Sequence, residues 1–380
     1  MAPVRTLDEI VAEARLAKLS RDYRRAAGLY TEAARSPEAA ADPEKRASLF
    51  RRAAACTYLD PGTRKEQRSR EAVALLEREL ELPEIDARLK LAKALKGELS
   101  FGNARTELAA VRRLIKAEWK ASLADGERKA RLAATEREAT QQHGLCTYKD
   151  VDLPPGDRLD DALNILSGTD PLAIDGVENL QTTLDPETLG IAGAVHKAKW
   201  KLDSQRSHLE RALWFYDRGY TKGRDGAKCG IAADNGYTAI NTAYILDLLA
   251  SLEETDLGSD DPSVAERRQR ARKIRAEIVE TLPQIADDTT KGQWWYAATL
   301  AEAEFGLGRF EEAAERLEKA RRSTGVEEWE FESTARQLAS LLNLLPGDGV
   351  TGERARKAFA RGFGVSPITS TCGTSVTILL

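Results

Sequence analysis

The chain has 380 residues, 42% hydrophobic and 31% charged, and its 57 Lys and Arg against 61 Asp and Glu leave a formal net charge of −4. That apolar share suits a globular core, and the near balance of charge is unlike the basic excess of a protein devoted to nucleic acid. No run approaches the roughly 18–20 apolar residues of a membrane helix, and the opening MAPVRTLDEIVAEARLAK is charged and amphipathic, so a cytoplasmic chain with no membrane span is expected.

Ala, Leu, Glu and Arg dominate while β-branched runs are scarce, a composition that favours helix. Thr6-Leu-Asp-Glu9 reads as a capping box and predicts a first helix to about Leu19. Tyr23, Ala26, Tyr30 and Ala33 then share one helical face, small alternating with large. Asp42-Pro43-Glu44 opens another helix, the Asp as cap and the Pro where its missing amide costs nothing. Helical patterns follow over 64–81, 83–99, 103–123 and 125–142, joined by short breaks that imply antiparallel neighbours.

The stretch from Cys146 to Gly156 has no period and two prolines, so it reads as a loop, with Asp157 capping a short helix to Leu166. Residues 167–184 read as an irregular cover over their neighbours. Asp185-Pro186-Glu187 restarts the helices, expected over 187–202, 205–219, 236–252, 263–282, 292–306, 310–322, 327–344 and 351–362. Ser263-Val-Ala-Glu266 reads as a second capping box, with Ala271, Ile274, Ile278 and Leu282 as the buried stripe of its helix. The end, Thr374-Ser-Val-Thr-Ile-Leu-Leu380, is a β-prone apolar run without a predicted partner strand.

The segment Gly308-Arg-Phe-Glu-Glu-Ala-Ala-Glu-Arg-Leu-Glu-Lys-Ala320 resembles the second helix of a tetratricopeptide repeat, with Phe310 at the turn and then Ala313, Leu317 and Ala320. Leu300 and Ala301 stand at the contact positions of its partner helix, and Leu209, Ala212, Tyr216 and Gly219 repeat the pattern in mid-chain. The alanines let two helices approach while the larger residues fill the groove between repeats. Weaker echoes near Ala72 and Ala110 are spaced irregularly, so the expected fold is an all-α, irregular α-solenoid of antiparallel helix pairs with a short β-prone tail.

Residues 187–345 carry a longer series: Leu189-Gly-Ile-Ala-Gly-Ala-Val-His-Lys197, His208-Leu-Glu-Arg-Ala-Leu-Trp-Phe-Tyr216, Asn235-Gly-Tyr-Thr-Ala-Ile-Asn-Thr-Ala243, Gln293-Trp-Trp-Tyr-Ala-Ala298 and Trp329-Glu-Phe-Glu-Ser-Thr-Ala335. In order and separation it resembles the TRAF-binding, tetratricopeptide-like domain of apoptosis-signal-regulating MAP kinase kinase kinases, in the style of a bacterial member. That resemblance implies partner-protein binding and a regulatory habit; the chain has no kinase loop or catalytic Asp motif of its own. The expected organisation is a helical repeat array over 1–145, a connecting segment over 146–186, the tetratricopeptide-like domain over 187–362 and a tail over 363–380.

No phosphate-cradling loop, dinucleotide glycine fingerprint, HExxH or GxSxG motif occurs, so no catalytic residue, cofactor or metal is assigned. His143 and Cys146 sit three apart, a spacing for a Cys/His pair that reads more simply as a capping His beside a buried thiol. His196 and His208 fall on adjacent helices without a third ligand. The basic run Arg267–Arg275 reads as the exposed face of an amphipathic helix, so no nucleic acid is expected. The four cysteines are far apart and read as free thiols.

Tryptophans in a solenoid are mostly core, but Trp294 and Trp295 lie about 100° apart on a helix, so one of them is expected to be exposed. Asn241 is polar amid apolar residues. The candidate partner-binding residues are therefore Trp294, Trp295, Asn241, Tyr237 and Trp214. The expected function is a non-enzymatic interaction or regulatory scaffold holding a protein or peptide on a helical-repeat surface; the alternative is the regulatory N-terminal part of an effector enzyme whose catalytic domain begins near Thr374.

Overall fold

Local signals in the sequence set the helix starts. Thr6 accepts from the Glu9 amide while the Glu9 carboxylate accepts from the Thr6 amide at 2.8 Å, the reciprocal capping box. Asp42 and Asp185 each accept two amides of the helix they open, with Pro43 and Pro186 at the first position. The computed structural model describes residues 5–122, 125–221, 230–323, 328–344 and 349–364; the Thr374–Leu380 run, Cys229, Cys372 and the Trp329 side chain lie outside the described residues. All regular structure among them is helical.

The chain divides into two compact units, Met1–Gln181 and Thr182–Leu380. The first holds α1 (Leu7–Leu19), α2 (Tyr23–Ala34), α3 (Pro37–Ala40), α4 (Pro43–Leu59), α5 (Lys65–Leu80), α6 (Glu84–Gly97), α7 (Phe101–Ala121), α8 (Gly126–Lys149) and α9 (Pro155–Ser167). Hairpins α1/α2, α4/α5, α6/α7 and α8/α9 stack so that α2, α4, α6 and α8 touch in succession, the nearest-neighbour packing of a repeat array. Ala26, Tyr30 and Ala33 are buried as the spacing predicts, and Phe50, Leu76, Leu91 and Leu108 fill the layer between hairpins. Burying each such large side chain contributes about 1.5–3 kcal/mol.

A buried ionic knot ties the irregular segment to this array. Arg112 of α7, 1% exposed, donates from Nε to Glu136 of α8 at 2.8 Å. Its two terminal nitrogens grip both oxygens of Asp170 at 3.0 Å each. Asp170 in turn accepts the Leu172 amide at 3.1 Å, and Ile174 and Leu180 are buried beyond it. Residues 170–180 thus form the cover expected of them, held by a guanidinium fork rather than by apolar contact alone.

The second unit holds α10 (Pro186–Asp203), α11 (Arg206–Thr221), α12 (Ile231–Asp234), α13 (Tyr237–Leu257), α14 (Pro262–Ile285), α15 (Asp288–Lys291), α16 (Trp294–Gly306), α17 (Phe310–Ser323), α18 (Glu328–Leu344) and α19 (Gly349–Phe363). Helix α13 is the hub, touched by α10, α11, α12, α14, α16 and α18. Every residue from Thr238 to Leu246 is buried, so this stretch is covered all round, its polar Thr238, Asn241 and Thr242 included, rather than striped. Phe310, Ala313, Leu317 and Ala320 are buried, as are Leu300 and Ala301 across from them. Ala271, Ile274, Ile278 and Leu282 form the inner stripe of α14.

Three expectations need correction. Helix α8 does not stop near Gln142 but runs to Lys149, because burial of His143, Cys146 and Thr147 supplies the packing that the unperiodic sequence hides. Helix α9 starts at Pro155, before Asp157. Ser263 is not the cap of a box: Asp261 caps α14 and takes both the Ser263 amide, at 2.9 Å, and its hydroxyl, at 2.6 Å.

Candidate partner-binding site

Two glycines three residues apart let α10 approach its neighbours. An ideal Cβ on Gly190 would stand 2.7 Å from the Tyr237 ring, and one on Gly193 would stand 2.8 Å from the Tyr216 ring. Tyrosines from α13 and α11 therefore lie against bare backbone, their rings edge to face with centroids 6.2 Å apart. Any side chain at either glycine would push one of them away.

One turn further along α10, Lys197 becomes the centre of a polar cluster drawn from four helices. Its Nζ donates to Asn241 Oδ1 at 2.8 Å and to Gln337 Oε1 of α18 at 3.1 Å. It stands 5.8 Å and 5.3 Å from the ring centroids of Tyr216 and Tyr244, within the range of a cation–π attraction. Gln337 Nε2 donates to both carboxylate oxygens of Glu302 on α16, at 3.0 and 2.9 Å. The Gln337 amide is thus the link between an ammonium and a buried carboxylate, and its two ends can be placed only one way round. The Tyr244 hydroxyl meets the Ser340 hydroxyl at 2.7 Å, and Asn241 Nδ2 donates to the Tyr237 carbonyl at 2.9 Å.

Glu302 is 7% exposed, and burial pushes its carboxyl upward, opposed by the Gln337 hydrogen bonds and the charges of Arg275 and Lys197. Burial likewise pushes the Tyr244 phenol up to about 12. Beneath the cluster Arg275, 1% exposed, pairs with Asp247 of α13 at 2.6 Å. The expectation that the basic run on α14 is simply an exposed face therefore fails at Arg275, whose partner sits on another helix. Elsewhere in that run Arg267 and Arg268 meet Glu253 and Glu254, and Arg270 meets Asp217.

The five candidate residues do not form one patch. Asn241 and Tyr237 belong to the Lys197 cluster, Asn241 buried and Tyr237 42% exposed; Asn241 bonds a lysine and its own helix. Trp294 is buried, with its Nε1 donating to Thr334 at 3.2 Å and its ring tilted against Phe331. Trp295 is the exposed member of the pair, at 37%. Trp214 is exposed on the side of α11 away from Tyr216, since two helical residues lie about 200° apart. Lys197, Glu302 and Gln337 were missed as a site; the Gly190/Gly193 spacing ahead of Lys197 is the sequence signal that could have pointed there.

The possible Cys/His pair is disposed otherwise. His143 faces Arg112, its Nδ1 3.3 Å from the guanidinium, and burial, helped by that charge, lowers it to about 3. Burial pushes the Cys146 thiol up to about 12, the reverse of an activated nucleophile. His196 and His208 do face each other, centroids 5.9 Å apart, with Phe215 stacked on His196 at 5.4 Å and Asp203 3.1 Å from His208 Nε2. Among the described residues no group of three or more His, Cys, Asp or Glu side chains is placed to hold a metal ion. Asp150 is buried and pairs with Arg105 at 3.2 Å.

Helix pairs, small-residue contacts and the Phe310 to Ala320 stripe are similar to the packing of tetratricopeptide-type helical repeats. The family model described as Tetratricopeptide Repeats-Sensor matches residues 116–246, a span that includes Lys197, Tyr216, Tyr237, Asn241 and Tyr244. No curated protein matches the chain. Among the described residues no helix is long and apolar enough to cross a membrane.

Proposed function

We propose that the chain is a non-enzymatic recognition and regulatory module of a bacterial cytoplasm, holding a protein or peptide partner where α10, α13 and α18 meet around Lys197. The observation that carries this reading is the Lys197–Gln337–Glu302 chain beside the exposed ring of Tyr237. A polar cluster contributed by separate helices is costly to leave incomplete, so contact at one member is felt by the others. Tetratricopeptide-type repeats generally mediate protein–protein interaction, and the sensor in the matching family's description agrees with a module that reports binding. The resemblance of residues 187–345 to a TRAF-binding domain supports the same role.

The test is capture of a partner from native lysate over a concentration series of the tagged full chain. A saturable partner is expected whose retention falls at least about tenfold in Tyr237→Ala and in Lys197→Met, the scale of a binding hot spot. Both variants should keep the wild-type far-ultraviolet circular dichroism. A partner held equally by the folded variants, or none that saturates, overturns the reading.

A further inference from the structure

On α11, Arg211, Trp214 and Arg218 stand at offsets of three and four, within about 60° of one another around the helix. Trp214 is 45% exposed. Its indole is nonetheless held in place: Arg218 Cζ lies 5.1 Å from the ring centroid and the Phe215 ring meets it edge-on at 4.8 Å. An exposed indole with one guanidinium on its ring and a second arginine one turn away on the same face is the composition of an interface hot spot, where Trp and Arg are enriched.

The charge of this stripe is unbalanced, unlike that of its surroundings. Arg206, Arg267, Arg268, Arg270 and Arg275 each have a carboxylate partner. The acids nearest in sequence to the stripe are already engaged, Glu210 by Arg206 at 3.0 Å and Asp217 by Arg270 at 2.5 Å. Arg211 and Arg218 have no carboxylate partner among the described residues. In a chain with a net charge of −4, two unmatched guanidiniums flanking an exposed tryptophan mark a place where carboxylates come from outside.

We propose that the Arg211–Trp214–Arg218 face of α11 docks an acidic segment of a partner protein, an apolar side chain covering the indole while carboxylates reach the two guanidiniums. The guanidinium-bearing residues are separated by about 10 Å along the helix axis, a distance spanned by acids three residues apart in an extended peptide. Bidentate pairing gives the contact its orientation. This surface is separate from the Lys197 cluster and stands or falls without it.

The probe is a fluorescein-labelled Glu/Leu peptide titrated with the full chain by fluorescence anisotropy, alongside a Lys/Leu peptide and a labelled single-stranded oligonucleotide. Saturable binding of the acidic peptide is expected, weakened by salt and at least about tenfold by Trp214→Ala. Arg211→Glu with Arg218→Glu should exchange preference for the Lys/Leu peptide. Lys197→Met should leave the acidic peptide's affinity unchanged, which separates this surface from the proposed partner site. The proposal is overturned if the acidic peptide does not saturate, if Trp214→Ala and the double reversal leave its affinity unchanged in folded protein, or if the oligonucleotide is preferred and lost with the same substitutions.

Discussion

Replacing Arg112 by methionine would test whether the ionic knot of the first unit holds residues 170–180 in place. Methionine fills much of the arginine stem, so the change removes the charge-assisted bonds to Glu136 and to both oxygens of Asp170 without opening a large cavity. Glu136 is 2% exposed and Oε2 already lacks a hydrogen-bond partner; in the variant it becomes a buried carboxylate whose remaining support is Thr140 at 3.2 Å. Breaking a buried pair by removing one partner costs about 3–5 kcal/mol. Asp170, closer to the surface at 11% side-chain exposure, can partly hydrate, which places the expected loss toward the lower end of that range.

The loss should also depend on pH in a defined direction. Burial already raises the Glu136 carboxyl, with Arg112 as the chief opposing influence; without the guanidinium it rises further. A carboxyl raised in the folded state takes up its proton at a higher pH than in the unfolded chain, so acidification stabilises the fold. His143 loses a repelling neighbour at the same time and moves toward its ordinary value, an effect of the same sign. The deficit of Arg112→Met should therefore be largest at neutral pH and shrink on acidification, by about 1.4 kcal/mol for each pKa unit gained. Urea unfolding across pH, with hydrogen exchange of the peptides covering residues 169–181, reads both effects. A deficit below about 1 kcal/mol, or one that grows toward acid, would refute the reasoning.

At Gly306 an added Cβ would overlap the Arg275 guanidinium, which Asp247 pins in place; Gly306→Ala should destabilise the second unit by about 1–3 kcal/mol, and an unchanged thermal melt would contradict this. The His143 ring should stay neutral well below its ordinary 6.5, titrating near 3. Its contribution to stability is then complete above 6.5 and lost as pH falls from there toward 3, and an NMR titration midpoint near 6.5 in folded protein would rule it out. Cys56 and Cys146, buried and pushed up to about 12, should resist iodoacetamide in the native protein and react in guanidinium chloride. Peptide mass mapping distinguishes the two sites from the other cysteines.

Local rules made much of the helical framework legible. Cap and proline pairs at Asp42-Pro43 and Asp185-Pro186 placed helix starts correctly, and the small-large stripes at Ala26/Tyr30/Ala33 and Phe310/Ala313/Leu317 named buried faces. What escaped was tertiary in origin. The last turns of α8 have no apolar period because Arg112 and the buried layer around Cys146 hold them. Arg275 looked like one more surface cation because its partner, Asp247, lies on the preceding helix. The Lys197 cluster was less visible still, since Lys197 and Gln337 stand 140 positions apart and no periodicity connects them. Of the exposed aromatics, the adjacency of Trp294 and Trp295 predicted that one would face outward, while the geometry of α16 decided which.

The bond between Lys197 and Gln337 has a consequence for how the second unit comes apart. In an array whose repeats touch only their neighbours, terminal hairpins can fray one at a time and stability accumulates repeat by repeat. Here a side chain on the first helix of the unit is satisfied by one on its penultimate helix. Detaching α18 leaves the ammonium of Lys197 short of an acceptor and Glu302 short of its donor, and detaching α10 leaves the Gln337 carbonyl without that ammonium. The two ends are therefore coupled through one amide, which favours melting of α10 and α18 together and ties the formation of a largely local helical fold to one late, long-range closure.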